Sequence, residues 1–382
     1  MAQEDAVFVR ATRGVHPRRG TGAAAVVTAG VICLVQAGPA AAVHDHTVVN
    51  CNHNPNALQP AITNAPSGAT LLVKGVCFGN FTINKNLALT GLKGAVLDGH
   101  DTGTTLTING AFRVKLKSLT IIHGNANGNS FPTNSGGGIF SNGGTVTLEH
   151  STVRNNRAIN SGGGIEISGG TMTLNRSTVR NNAAPVEGGG INIGNNGTLT
   201  LNRSTVSNNA APFAGGGIGN FGKSTVTLRD STVSNNSATF IGGIDSSAFA
   251  SLTLVRSTVS NNSASEAIGG IEISSGTKAT LYDSRVLDNT AGTDSGGIEI
   301  ETNATATLKK STVRGNIAGR TGGGIGNFGT MTLRNSEVEH NTAFNDGGGI
   351  FNTGTVTLHD SKVRHNHPNN CAPSGSVPGC KG

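Results

Sequence analysis

The amino-acid sequence predicts an all-β fold, a parallel β-helix (solenoid) of roughly 10 to 12 coils with a short N-terminal cap. Two observations carry this expectation. A glycine-rich block, read as Gly-Gly-x-Ile, recurs with its Ile at positions 139, 165, 191, 218, 244, 271, 298, 325 and 350, a period of 25 to 27 residues. Each block leads into two further β-favouring pieces, such as Val146-Thr147-Leu148 and Ser151-Thr152-Val153, separated by Gly, Asn and Ser. Three strand-like pieces per repeat leave no room for a helix. That rejects a leucine-rich repeat, whose period overlaps but which needs a Leu scaffold and a helical return. At ~4.8 Å per coil the stack would be about 50 to 60 Å long.

Composition narrows the function classes. Of 382 residues 57 are Gly but only 11 are Pro, which excludes a collagen period. Trp is absent and Tyr occurs once, so no aromatic platform for single-stranded nucleic acid can be built. A net charge of +7 spread over a chain with only 13% charged residues is too diffuse for a nucleic-acid footprint. No nucleic-acid partner is expected.

Taken in chain order, residues 1–42 read as a signal peptide. Arg10, Arg13, Arg18 and Arg19 give a basic start, Ala23 to Ala37 an apolar run, and Ala40-Ala41-Ala42 an A-x-A cleavage site. The run is too short to span a bilayer, so the mature chain is expected to be secreted or held at the cell surface without a transmembrane segment. Arg18-Arg19 leaves the export route, general or twin-arginine, open. Cleavage would leave four cysteines, Cys51, Cys77, Cys371 and Cys380, and an exported chain with an even count reads as disulfide-bonded. Three connectivities are open, of which pairing within each end closes two short loops.

Residues 43–98 blur the repeat and read as an N-terminal cap with the first coils. Within them 59–65 predicts a short helix with Pro60 in its first turn. Residues 99–366 carry the repeats, and 367–382 form a disulfide tail that would blunt the last open β-edge.

The corners of such a coil need special residues. A Val-x-x-Asn motif ends each copy, giving Asn156, Asn182, Asn209, Asn236, Asn262, Asn289, Asn316, Asn341 and Asn366. Asn tolerates the left-handed region, and its amide can bond the equivalent amide one coil away, so a buried column would satisfy itself. The paired glycines need either positive φ or close backbone approach.

These residues carry a family resemblance. The stretch from Leu58 to Gly99, with Pro66-Ser67-Gly68-Ala69-Thr70-Leu71-Leu72-Val73 and Leu89-Thr90-Gly91, resembles the opening coils of secreted bacterial right-handed parallel β-helix proteins of the pectate-lyase type. The repeats from Gly136 to Asn366 are similar to the GGxI and FxxN repeats of chlamydial polymorphic outer-membrane proteins, with Val in place of Phe. The resemblance implies right-handed coiling. It implies no single activity, because lyases, hydrolases, esterases and adhesins share the coil. The membrane barrel of those surface proteins is not expected after the last repeat.

Two columns of charge bear on chemistry. Before the Ser of each third piece stand His150, Arg176, Arg203, Asp230, Arg256, Asp283, Lys310, Asn335 and Asp360, whose alternating signs from Arg203 to Lys310 read as a compensated surface column. After each glycine-rich block stand Phe140, Glu166, Asn192, Gly219, Asp245, Glu272, Glu299, Gly326 and Phe351, with Glu301 two residues beyond Glu299. Asp245, Glu272 and Glu299 would then lie ~4.8 Å apart with no matching cation, each neighbour costing about 1 kcal/mol even in a water-like dielectric.

Three readings of that row stand side by side. It is a solvated stripe, or a ligand face of Asp245, Glu272, Glu299, Glu301 and Glu166 with Ca²⁺ as the possible cofactor. In the third it is a catalytic set of Asp245, Glu272 and Glu299 for glycoside cleavage. Pectate-lyase-type enzymes also use a basic residue to take a proton, and only Lys223 or Lys278 are candidates here. Histidines near the two ends, His44, His46 and His53, then His365 and His367, read as polar termini. The sequence therefore points first to a secreted, monomeric module that binds a polysaccharide or cell-surface glycan or acts in adhesion. A polysaccharide lyase or hydrolase, and a purely structural coat or spacer, are the alternatives.

Overall fold

A computed structural model describes residues 46–381, which lie in one compact unit. The expected signal peptide, 1–42, lies outside the described residues. Each coil contributes one strand to each of three parallel sheets, named here by their motifs. The TxTL sheet has thirteen strands, from His46–Asn50 to Thr355–His359. The GGxI and STV sheets have twelve each. Successive coils pair without slippage: Ile139 faces Ile165, Thr147 faces Thr173, and Val153 faces Val179.

The register follows from which side chains must be dry. In the TxTL strands Val146 and Leu148 point inward while Thr145 and Thr147 alternate outward. Ile139 of the GGxI strand and Val153 of the STV strand complete the cross-section, all fully buried. A one-residue slip would turn the Thr column into the core, so the alternation fixes the register.

The glycine-rich blocks work by close approach. In the turn, a Cβ on Gly243 would stand 2.3 Å from the Gly270 carbonyl oxygen, and one on Gly270 would stand 2.2 Å from that of Gly297. Six copies read Gly-Gly-Gly-Ile, and in these the first glycine adopts positive φ, as at Gly162 (62°). The other three put Ile241, Ile268 or Ser295 there and keep only the close-packed pair.

The asparagine column is a continuous hydrogen-bonded ladder. Asn156 Nδ2 donates to Asn182 Oδ1 at 3.0 Å, Asn182 to Asn209 at 3.0 Å, and so on to Asn341 and Asn366 at 3.0 Å. The left-handed conformation expected of these asparagines sits instead on the residue before each one: Asn155, Asn181, Asn208, Asn235, Asn261, Asp288, Gly315, His340 and His365 have φ of 53° to 68°. One residue turns the chain and the next satisfies it. A second ladder, absent from the sequence reading, runs through Ser151, Ser177, Ser204, Ser231, Ser257, Ser284, Ser311 and Ser336. Each backbone N–H donates to the next Ser Oγ at 3.1 to 3.2 Å.

Both ends are closed. The helix spans Leu58–Asn64, one residue earlier than expected, and buries Leu58 and Ile62 on one face. Gln59 accepts from the Thr82 N–H at 2.8 Å and donates to the Thr82 carbonyl at 3.3 Å, so its amide replaces the missing strand at the open edge of the GGxI sheet. At the other end Cys371–Ala372 pairs with Ile350 and Phe351 as a last strand, and Asn370 Oδ1 takes the final bonds of the ladder from Asn366. Cys51 is bonded to Cys77 and Cys371 to Cys380, the local pairing of the three possible. Among the described residues no helix is long and apolar enough to cross a membrane.

Candidate functional site

The acidic column lies where the register requires. Asp245 faces Glu272, and Glu272 faces Glu299, on adjacent strands of the GGxI sheet. Glu166 sits three coils earlier, separated from Asp245 by Asn192 and Gly219. A solvated stripe is not what the chain builds. Glu166, Asp245 and Glu299 are only 4%, 5% and 9% exposed, and Glu272 alone is half-buried. The segment between the asparagine ladder and the glycine block supplies an apolar cluster of Ala214, Ile241 and Ile268. Ile241 and Ile268 occupy the first position of the block in the coils that carry Asp245 and Glu272.

Burial sets the electrostatics. Desolvation pushes Glu166 and Glu299 up to about 7, against hydrogen bonds that favour the charged form. Glu166 accepts from Ser161 Oγ at 2.9 Å and from Asn192 Nδ2 at 3.1 Å, and Glu299 accepts from Ser295 Oγ at 2.8 Å. Asp245 and Glu272 are likewise raised by burial first. Their contact with each other favours the charged form of Asp245 and the neutral form of Glu272, and the charge of Asp245 adds to the upward push on Glu272. The charges of Glu301 and Asp294 add to the upward push on Glu299, and Glu301 also acts on Glu272. Glu187, a residue the sequence reading passed over, faces both Glu166 and Asp245 from the loop. Oδ1 of Asn192 and of Asp245 have no hydrogen-bond partner.

The three central carboxyl groups do not converge on one point. Neighbours in the row are one strand spacing apart, which puts the outer pair ~9.6 Å apart. Among the described residues, the one group of three ligand-type side chains whose donor atoms all lie within 4.8 Å of one another is Glu339, His340 and His365. Sequence reasoning saw only His365 there, although His340 precedes it by one 25-residue repeat. Glu339 already faces Arg364 at 3.1 Å and Arg314 at 3.8 Å, so a cation would have to displace two guanidinium groups. Asp294 pairs with Arg320 rather than joining the row.

The charged corner column adds a backbone role to its sign pattern. All nine of its residues have φ between 47° and 53°. Arg256 forms a two-pronged pair with Asp230, at 2.7 and 3.0 Å. His150, Arg176 and Arg203 stack on successive coils and line a groove of about 450 Å³ with Arg229, Glu149 and Asp230. On the adjacent TxTL face, Thr147, Thr173, Thr200, Thr227, Thr253, Thr280, Thr307, Thr332 and Thr357 stand in one unbroken outward column. The inward neighbours of each, such as Val146 and Leu148, hold that column in place. Lys223 lies in a turn and Lys278 opens a TxTL strand.

Comparison with known proteins bears on the fold. Residues 104–291 match a family model described as a right handed beta helix region. No curated protein matches the chain. Among solved structures, the crystal structure of pectate lyase Pel9A aligns with a TM-score of 0.38 and 13% identity, over 81% of this chain and 73% of that one. With its three stacked parallel sheets, its closed ends and the family match through the central coils, the chain is a right-handed β-helix repeat protein.

Proposed function

We propose that this protein is an exported, surface-acting module that binds a polysaccharide or cell-surface glycan. The observation that carries the reading is the TxTL face, where nine consecutive coils present the same Thr hydroxyl outward at one strand spacing. A surface that repeats suits a polymer that repeats, because many weak hydroxyl contacts add once the first is made. The covered acidic row fits this reading better than turnover, since acids that protonate or deprotonate a substrate must reach it. Two disulfides fit an oxidising, extracytoplasmic setting. The test is a panel of plant, fungal and bacterial cell-wall glycans and host surfaces, read for both binding and cleavage, with and without calcium. Binding without cleavage supports the module. If neither is seen, the module reading fails and a structural coat or spacer takes its place.

One observation favours a second reading, cleavage by a lyase or hydrolase. Glu272 is the most open member of the row, and burial together with the charge of Asp245 raises it, the direction a general acid requires. Ca²⁺ belongs to this reading, bound by neighbouring carboxylates rather than by Asp245, Glu272 and Glu299 together. Loss of cleavage in Glu272→Gln would support it; equal cleavage by wild type and variant would sink that assignment.

A further inference from the structure

One coil breaks the repetition. The stretch from Thr120 to Ile139 is six residues longer than its counterpart from Thr152 to Ile165. The extra length forms a loop beside the GGxI sheet, and with the turn at 102–104 it walls a cavity of about 350 Å³. That is within the range of small-ligand sites. Its wall includes Asn80, Thr104, Thr107, Asn127, Thr133 and Phe140, and no charged side chain lines it. Phe140 occupies the position that Glu166 takes one coil later, so the same sheet face changes from aromatic and neutral to acidic. Phe131, half exposed in the loop, packs edge-on against Phe140 with ring centroids 5.4 Å apart.

The polar groups divide into those that build the wall and those left over. Asn80 Nδ2 donates to the Thr104 carbonyl at 2.9 Å while its Oδ1 accepts from Thr102 Oγ1, which fixes the turn. Thr133 Oγ1 donates to the Ser130 carbonyl at 2.8 Å and fixes the loop. The Asn127 amide and the Thr107 hydroxyl make no hydrogen bond within the protein and remain for a ligand. A charged ligand would find no counter-ion here, and an apolar one would strand these groups. A neutral pyranose satisfies both needs, with C–H faces for the aromatic ring and hydroxyls for the amide and the threonine.

We propose that this cavity is a subsite for one neutral sugar unit of a polysaccharide, gripped by Phe140, Asn127 and Thr107, with Phe131 setting the Phe140 ring from the loop. This rests on the polysaccharide-binding reading and adds where one unit docks and that it is uncharged. The test is calorimetric titration of the full chain with hexamers of xylose, mannose and glucose and with hexagalacturonate, on wild type, Phe131→Ala, Asn127→Ala and Thr107→Val. The expected result is binding of at least one neutral hexamer, weakened about tenfold or more in Phe131→Ala and Asn127→Ala with unchanged melting temperature. Neutral binding that all three variants retain would overturn the subsite and leave the module reading standing. Binding of hexagalacturonate alone would also overturn it. Failure of every probe on wild type would count against both.

Discussion

Asn236 Nδ2 donates to Asn262 Oδ1 at 2.9 Å across one coil, while Asn236 Oδ1 accepts from both the backbone N–H and the Nδ2 of Asn209, each at 3.0 Å. Nδ2 also reaches the Val206 carbonyl at 3.2 Å. Every polar atom of a fully buried amide is used. Asn236→Ala would leave the Asn209 N–H without a partner and strip Asn209 Nδ2 of its acceptor on the next coil, in a dry interior. At roughly 1 to 3 kcal/mol per stranded group, the expected loss is about 3 to 5 kcal/mol. Chemical denaturation would check it, and a loss below about 1 kcal/mol would mean that the ladder relaxes around the gap.

Glycines of this protein differ in what they make possible. Gly243→Ala would drive a methyl to 2.3 Å from the Gly270 carbonyl oxygen, and both belong to backbone that cannot swing aside. Gly194 has nothing within 4 Å of a added Cβ and no positive φ. Gly243→Ala is expected to lower the melting temperature by several degrees and Gly194→Ala to leave it almost unchanged. Equal effects would refute close approach as the reason for the glycine pair.

The acidic column predicts a pH dependence opposite to that of a salt-bridged surface. Glu166 and Glu299 stand at about 7 in the folded chain and return to the ordinary 4.5 on unfolding, so unfolding between those values releases protons. Stability from these groups is complete below the unfolded value and is lost as pH rises through about 7. For Glu166 the loss is on the order of 3 kcal/mol. The melting temperature should therefore be lower at mildly alkaline than at mildly acidic pH. Glu166→Gln, whose side-chain oxygen can still accept from Ser161, should flatten the profile; a wild-type profile already flat would refute the raised values.

The two disulfides should differ in access. Cys51 and Cys77 are buried, whereas Cys371 and Cys380 are half-buried. Mild reductant followed by alkylation and mass measurement should label Cys371 and Cys380 first. Removing the Cys51–Cys77 bond, which spans 26 residues, should cost about 3 kcal/mol. Labelling in the reverse order would show that the N-terminal cap opens more readily than the tail.

Much of this architecture was legible because stacking repeats one physical problem at a fixed offset. Ile139 and its eight counterparts report the core, and Asn156 and its counterparts report the corner, in any single copy. What escaped was what repeats least. Burial of Asp245 and Glu299 depends on loops carrying Ile241, Ile268 and Ser295, where the block departs from its own consensus. Strand alternation places those carboxyls outward, and nothing in the repeat itself marks an outward position as covered. The division of labour at the corner was hidden by identity: Asn155 turns the chain and Asn156 bonds it, yet both are Asn. The serine ladder was overlooked because Ser before Thr-Val looks like ordinary strand composition, whereas Ser151 and its counterparts are buried.

Because every coil bonds only to the one before it and the one after it, the molecule comes in whole steps. Excising the 27 residues from Ile271 to just before Ile298 would join like to like in the core, the corners and both ladders, since Asn262 and Asn289 offer the same amide to the next coil. Losing a single residue from within a strand would put the inward side chains beyond it on the wrong side, whereas the turns absorb such changes, as the 25- to 27-residue spacing of the coils shows. Reach is thus a quantised property, adjustable by duplication or loss of complete coils between two fixed end-pieces, while the cross-section stays the same.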